Sequence, residues 1–328
     1  MSKYLSRNRK LLLIFIATFI LVLTSAYFQL IAPNHDLSTS QINPPRCQLT
    51  KHEQGESCIP IHPQRIITLD EFMLDTVLSL GIKPIAAGEH TLSGSRGIHL
   101  RNKAENVISI GEWTRPKLET ILQLKPNLIL GYDISSENYK LLSKIAPTVS
   151  FTYNLYDWKT PLLQVSEVLH KKAEAKQIIR QYQQRITKIR QQLGDKISKT
   201  KISIARFYAA GGIDIYPYKM SFPGRIITDI GFAVPTEQAK FYSAAELNYL
   251  SINSERLDLL DADVMFVLQD PGSEKIFQIY QKNKLWQLLN VVKNQRIYIV
   301  NSNYWAFGNS LAVNAILDDL YKYLLDNE

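Results

Sequence analysis

The chain has 328 residues, 45% of them apolar and 21% charged, with 14 Gly and 14 Pro. That composition excludes a disordered, collagen-like or coiled-coil protein and fits two globular domains or one large one. The formal charge is +8, but Lys3, Arg7, Arg9 and Lys10 supply half of it and no acid lies among residues 1–26, so the +4 on the remainder makes no case for nucleic-acid binding.

Behind this basic start, the run LLLIFIATFILVL at residues 11–23 reads as the apolar core of a secretory signal. The apolar stretch continues to about residue 32, long enough to remain in the bilayer, so a cleaved signal peptide and a retained membrane anchor over 1–32 both stand. Either one places residues 33–328 outside the cytoplasm, in the periplasm. No cysteine directly follows the apolar run to carry a lipid, and Asn8 separates Arg7 from Arg9, so neither a lipidated cysteine nor a twin-arginine signal is indicated. Residues 33–46 are polar and Pro-containing and read as a linker. Cys47 and Cys58 then flank a Gly-containing turn, the pattern of a β-hairpin, and in an oxidising compartment they are expected to form a disulfide.

The segments RIITLD, IKPIAAG, NVISIG, NLILG and TVSFTY read as buried strands, with helices in EFMLDTVLSLG and from about Pro116 to Leu124. Strands that alternate with helices and lack polar alternation predict a parallel sheet covered on both faces. Residues 161–193 hold one Pro, at their start, and no Gly, and their apolar positions recur every three or four. This predicts an inter-lobe helix over 161–194, about 50 Å long if unbroken, between an α/β lobe at 47–160 and a second at 195–328. An ordinary pair of surface helices is the alternative.

The second half repeats the pattern in KISIARFY, GRIITDIG, ERLDLLDADVMFVL, RIYIVN and a final helix LAVNAILDDLYKYLL. Glu119 stands eight residues before Asn127 and a strand, and Glu255 stands eight residues before Asp263 and a strand. Both acids read as first-turn residues of a helix, which suggests two related lobes with a ligand cleft between them. The sequence contains no G-x-S-x-G elbow, H-E-x-x-H pair, P-loop or G-x-G-x-x-G fingerprint. Of the six His residues only His90 and His99 share a loop, where solvent-exposed imidazoles are the simpler reading than metal ligands. No enzyme class is indicated.

From about Cys47 to Leu325, through HEQGESCIPIHPQRIITLDEF, IGEWTRPKLETILQLKPNLILG, FYSAAELNYLSINSERLDLLDADVMFV and LWQLLNVVKNQRIYIV, the chain resembles the periplasmic solute-binding component of ferric-siderophore ABC importers of the iron-dicitrate or hydroxamate type. The resemblance implies two Rossmann-like α/β lobes with mainly parallel sheets, joined by a long rigid helix that resists lobe closure. It implies a monomer that passes its ligand to an inner-membrane ABC permease and its ATPase. It also implies no cofactor and no direct metal ligand, since the iron arrives saturated by the oxygens of its chelator. Such a ligand calls for Arg to bond chelate oxygens and for aromatic side chains to cover the chelator's apolar parts.

On that basis Arg206, at the end of KISIA, is the first cation expected in the site, with a structural ion pair as the alternative. Arg225 opens a helix after SFPG and is a second candidate. Related proteins carry a ligand Arg two positions before Arg115, where Trp113 stands here, which favours Trp113 as a stacking wall beside Arg115. Tyr132 corresponds to a pocket aromatic of the family, and Tyr242 and Trp305 would complete the opposite wall. Arg96 and Arg101 read as solvated. The resemblance makes Glu119 and Glu255 the acids that dock into the permease subunits, against a simpler role at helix N-termini. Three rivals stand: a haem or cobalamin carrier of the same fold, with Tyr132, His90 or Tyr242 as axial ligand to haem; an enzyme that cleaves or reduces the chelate; and a membrane-anchored sensor domain.

Overall fold

The computed structural model describes residues 47–89, 97–242 and 248–325, with the side chain of Tyr242 outside that description. The export segment, the linker, His90 and Arg96 lie outside the described residues. Among the described residues no helix is long and apolar enough to cross a membrane.

Strands β1 (Cys47–His52) and β2 (Gly55–Pro60) form the expected hairpin, and Cys47 is bonded to Cys58 with the Cα atoms 5.3 Å apart. The hairpin leans on the edge of the first sheet: Ser57 Oγ donates to Thr148 O at 2.9 Å and Glu53 N to Ser150 O at 3.4 Å. An edge that would otherwise present unpaired backbone is thereby covered.

The first lobe holds β3 (Ile66–Thr68), β4 (Ala86–Glu89), β5 (Ile108–Glu112), β6 (Leu128–Tyr132) and β7 (Thr148–Phe151). They lie in the order β5-β4-β3-β6-β7, all parallel, and the central strands are buried on both faces. Helices α1 (Glu71–Ser79), α2 (Leu118–Gln123) and α3 (Ser136–Leu142) fall between the strands. The chain leaves β3 for β4 and β5 on one side, then returns to lay β6 on the other. The carboxyl ends of β3 and β6 therefore form a topological switch point, where open α/β sheets bind ligands.

The second lobe holds β8 (Ile202–Phe207), β9 (Ile213–Ile215), β10 (Leu250–Ile252), β11 (Val264–Gln269) and β12 (Ile297–Asn301), in the order β10-β9-β8-β11-β12. Its switch point lies between β8 and β11. Strands β8, β11 and β12 are parallel, but β9 runs antiparallel to β8 and to β10. The cause is local: Tyr208–Gly212 is too short for a crossover, and Gly211, at φ 97°, turns the chain straight back.

The repeat seen in the sequence has a structural counterpart. Asn127 Oδ1 accepts the N–H of Arg65, just before β3, at 3.0 Å, and Asp263 Oδ2 accepts the N–H of Lys201, just before β8, at 2.7 Å. Glu119 and Glu255 each follow an edge strand, β5 and β10. Glu119 lies in the first turn of α2 as expected, whereas Glu255 sits in a turn ahead of a short 3-10 helix at Leu257–Leu260 rather than inside a helix.

Between the lobes the chain is helical but not continuous. Helix α4 (Lys159–Val168) ends where His170 takes φ 55°, and α5 (Lys172–Leu193) restarts with 22 residues, about 33 Å by rise per residue. The expected single 161–194 helix is thus a pair, split by a left-handed residue that is neither Gly nor Pro. Helix α5 packs its Tyr182, Ile186 and Ile189 inward. It bonds to α6 (Phe222–Ile230) through Arg190, which donates to Ile230 O and Asp229 O, and to α12 (Ser310–Leu324) through Arg185, which donates to Asn314. Smaller helices α7 (Thr236–Tyr242), α8 (Glu274–Gln281), α9 (Lys284–Leu288), α10 (Asn290–Lys293) and α11 (Ser302–Trp305) complete the second lobe. One buried cluster runs from Ile66 and Leu130 in the first sheet, through the linking helices and α12, to Ile204 and Phe266 in the second. A continuous core of this kind opposes free hinge motion.

Candidate ligand-binding cleft

At the first switch point, Leu69 and Asp70 follow β3 while Asp133 follows β6. With Trp113 after β5, Tyr132 at the end of β6 and Asn138 of α3, they surround a cavity of about 200 Å³. Trp113 is 41% exposed and lends the cavity a ring face, so the structure brings the expected Trp113 and Tyr132 together. Tyr132 is buried, its hydroxyl 3.2 Å from Thr76 Oγ1. Burial pushes that hydroxyl's pKa well above its ordinary value, so the phenol stays neutral.

Asp70 is 5% exposed and stands between β3 and α1 as the cap of α1, accepting Met73 N at 2.7 Å and Tyr132 N at 2.9 Å. Burial raises its pKa from 3.8 to about 6 against the pull of those N–H groups. A folded value above the unfolded one means that ionising Asp70 costs stability. Its contribution is most favourable below pH 4 and is lost as pH rises through about 6. The unfolding free energy of the wild type, relative to Asp70→Asn, is therefore expected to fall by about 2–2.5 kcal/mol between pH 4 and pH 7. Denaturant unfolding at both pH values checks this, and parallel profiles would contradict a buried carboxylate.

At the second switch point, Arg206 near the end of β8 meets Asp270 just after β11. Arg206 is 3% exposed and gives Nε to Asp270 Oδ1 at 2.9 Å, Nη2 to Asp270 Oδ2 at 3.0 Å and Nη1 to the Tyr216 hydroxyl at 3.2 Å. Of the two readings the sequence left open for Arg206, the ion pair is present. Burial opposes the charge, but Tyr216 and Asp270 more than offset it and the guanidinium remains a cation. The ring of Tyr208 lies 4.7 Å from its Cζ and that of Phe307 5.4 Å.

An aromatic seam joins the two switch points. Tyr132 lies 5.4 Å from Tyr153, Tyr153 stacks on Phe72 at 4.7 Å, and Phe72 meets Phe307 at 6.3 Å between ring centroids. Phe307 in turn rests against Arg206. The seam is pinned by the Tyr153 hydroxyl, which accepts Gly308 N at 3.3 Å, and by Asn309 Nδ2, which donates to Phe72 O at 2.8 Å. Phe72, Tyr153, Phe307, Asp70 and Asp270 were not singled out from the sequence. The signal available for the two acids was their position, just past the ends of two apolar strand patterns.

Other expected residues lie elsewhere. Trp305 is 0% exposed, stacks on Phe266 at 4.7 Å and donates Nε1 to Asp319 at 2.8 Å, so it is a core residue of the second lobe and not a cleft wall. Arg225 points along α6 to Asp229, 3.4 Å away, which also binds Lys159 and Tyr182 of the linking helices. That carboxylate turns Arg225 toward the linking helices rather than toward the seam. Arg115 is exposed in the turn that presents Trp113. Glu119 and Glu255 are both exposed. The backbone of Tyr242 ends α7, but its side chain is outside the described residues. His99, read as a solvated loop residue, is instead half-buried, its side chain 7% exposed and its Nε2 3.5 Å from Asp75. Among the described residues no cluster of His, Cys, Asp or Glu could hold a metal ion.

Comparison with known proteins agrees with this fold. A family described as "Periplasmic binding protein" matches residues 66–304. The chain is 30% identical over 298 residues to the probable siderophore-binding lipoprotein YfiY of Bacillus subtilis, covering 88% of this chain and 91% of that protein. It is 27% identical over 262 residues to the Fe(3+)-citrate-binding protein YfmC of the same organism, covering 77% and 78%. The crystal structure of Staphylococcus aureus SirA complexed with staphyloferrin B superposes with a TM-score of 0.72 at 27% identity, over 84% of this chain and 98% of that one.

Proposed function

The chain belongs to the periplasmic binding protein family, and on that footing we propose that it captures a ferric siderophore outside the cytoplasm and passes it, chemically unaltered, to an ABC permease in the inner membrane. The observation that carries this reading is the pair of switch-point half-sites, one a ring-walled cavity and the other a buried Arg, joined by an aromatic seam. The siderophore-binding names of several relatives support it. The ferric ion in such a ligand needs no protein donor. Arg206 keeps two of its five N–H groups beyond those given to Asp270 and Tyr216, and these face chelate oxygens. Trp113 and Tyr132 cover the chelator, and Arg115 stands at the rim beside Trp113. Glu119 and Glu255, one after the edge strand of each lobe, dock into the two permease subunits.

Tryptophan fluorescence tests the binding step. Trp158, Trp286 and Trp305 are buried at 3%, 2% and 0% exposure, which leaves Trp113 as the indole open to a cleft ligand. Titration with a panel of ferric chelates is expected to quench emission saturably, and Trp113→Phe is expected to remove much of that quenching. A Soret band on haem titration with no response to any ferric chelate would overturn the reading. Delivery is tested separately: Glu119→Ala with Glu255→Ala is expected to abolish iron uptake in cells while leaving chelate affinity in solution unchanged. Undiminished uptake would remove these two acids from docking.

A further inference from the structure

The disulfide hairpin does more than cover a sheet edge. Its two-residue turn, Glu53–Gln54, lies against the loop that joins β6 to α3, and Asp133, Ile134 and Ser135 of that loop line the first lobe's cavity. Gln54, half-buried, donates Nε2 to Ile134 O at 2.9 Å and accepts the Ser136 hydroxyl at 3.3 Å. Ile134 is held on its other side as well. Its N–H donates to Ser150 Oγ at 3.1 Å, and Glu53 accepts that hydroxyl at 3.5 Å together with the hydroxyl of Thr152. Just before the turn, the His52 ring meets that of Tyr139 on α3 at 5.4 Å between centroids. Gln54 is not among the described residues that line the cavity.

The loop depends on this support. Asp133 takes φ 44°, a left-handed conformation that persists in a residue other than Gly only where its surroundings impose it. Gln54 helps to impose it from 80 residues away in the sequence. Past the loop, Asn138 Nδ2 reaches Thr114 O at 3.5 Å, next to Trp113, so the hairpin turn is linked to both walls of the cavity.

The hairpin has little core of its own. Of its two six-residue strands only Ile59 is buried, and a two-stranded hairpin by itself is marginally stable in water. The Cys47–Cys58 bond lies at the end away from the turn, locks the strands together and so keeps Gln54 in place.

We propose that Gln54 is a positioning residue for the ligand cavity: it fixes the Asp133–Ser135 wall without touching cargo, and the Cys47–Cys58 bond sets cargo affinity through it. The inference rests on the reading that this cavity receives part of a ferric chelate.

The test is isothermal titration of the purified full chain with ferric citrate, a linear ferric trihydroxamate and a ferric catecholate, comparing variants on whichever the wild type binds most tightly. Denaturant unfolding first establishes that each variant is folded under the titration conditions. Gln54→Ala removes two hydrogen bonds from the cavity wall and is expected to weaken binding by about tenfold. Cys47→Ser with Cys58→Ser is expected to weaken it by about three- to tenfold. The triple variant separates positioning from general loosening of the fold. If the disulfide acts through Gln54, the losses do not add, and the triple variant binds within about threefold of Gln54→Ala alone. Wild-type affinity in Gln54→Ala, or a triple variant whose loss is the product of the other two, would overturn the proposal and leave chelate binding intact. Should Gln54→Ala fail to fold, Ser136→Ala removes only the contact to Gln54 Oε1 and is expected to weaken binding by about threefold; unchanged affinity there would equally overturn it. A wild type that binds none of the three chelates would overturn both the positioning role and the reading beneath it.

Discussion

Arg206→Met is expected to lower the free energy of unfolding by about 3–5 kcal/mol, because it strands Asp270 as an uncompensated buried carboxylate. Asp270 is 6% exposed and receives two N–H groups from Arg206 at 2.9 and 3.0 Å. Arg206→Met combined with Asp270→Leu is expected to recover most of the loss, since a buried ion pair replaced by packed apolar groups is often close to neutral. Denaturant unfolding of wild type, single and double variants measures both. The double variant also separates structure from recognition. If Arg206 contacts the ligand, the refolded double variant still loses about 1.5–3 kcal/mol of chelate affinity, the worth of one charge-assisted hydrogen bond. Wild-type affinity in a well-folded double variant would make Arg206 purely structural.

Asp75→Ala is expected to cost about 2–4 kcal/mol at the junction between the lobes. Asp75 is 1% exposed on α1 of the first lobe, yet its carboxylate caps a helix of the second: Oδ1 accepts Leu311 N at 2.8 Å and Oδ2 accepts Ala312 N at 3.0 Å. These are first-turn N–H groups of α12, which have no partner within their own helix. Asn309, at the cap of α12, reaches back to Thr76 Oγ1 at 2.9 Å, so the two helices are tied at two successive residues of α1. Removing the carboxylate leaves two helix N–H groups unpaired and a helix dipole unopposed. The check is a lower denaturant midpoint at unchanged m, with faster amide exchange in the first turn of α12. Asp75→Asn keeps one acceptor and is expected to cost less. A neutral Asp75→Ala would mean that this carboxylate adds nothing to what the Asn309 hydrogen bonds and apolar packing already supply at the junction.

Much of the fold was legible because its strands are buried on both faces and so read as uninterrupted apolar runs. RIITLD and NLILG became β3 and β6, and the eight-residue spacing from Glu119 and Glu255 pointed to the equivalent central strands of two lobes. The disulfide hairpin was legible because turn and cysteines are close in sequence. What failed to read depended on distant partners. Asp270 stands 64 residues from Arg206, so nothing local told a paired guanidinium from an open one. Asp75 looks like a polar gap in an amphipathic helix until α12, some 236 residues on, arrives above it. Arg225 falls near the start of α6 as expected and Trp305 ends the short helix α11 rather than opening a loop, but a sequence does not say which way a side chain turns. The break at His170 had no Gly or Pro to announce it, since the left-handed conformation there falls on a residue that rarely adopts it.

A crystal structure of the protein with a bound ferric chelate bears on the central claim most directly. The chelate is expected between the Trp113–Tyr132 cavity and Arg206, over the Phe72–Tyr153–Phe307 seam, with every oxygen on the iron supplied by the chelator. A chelate seated on any other face, or an iron coordinated by a protein side chain, would contradict it.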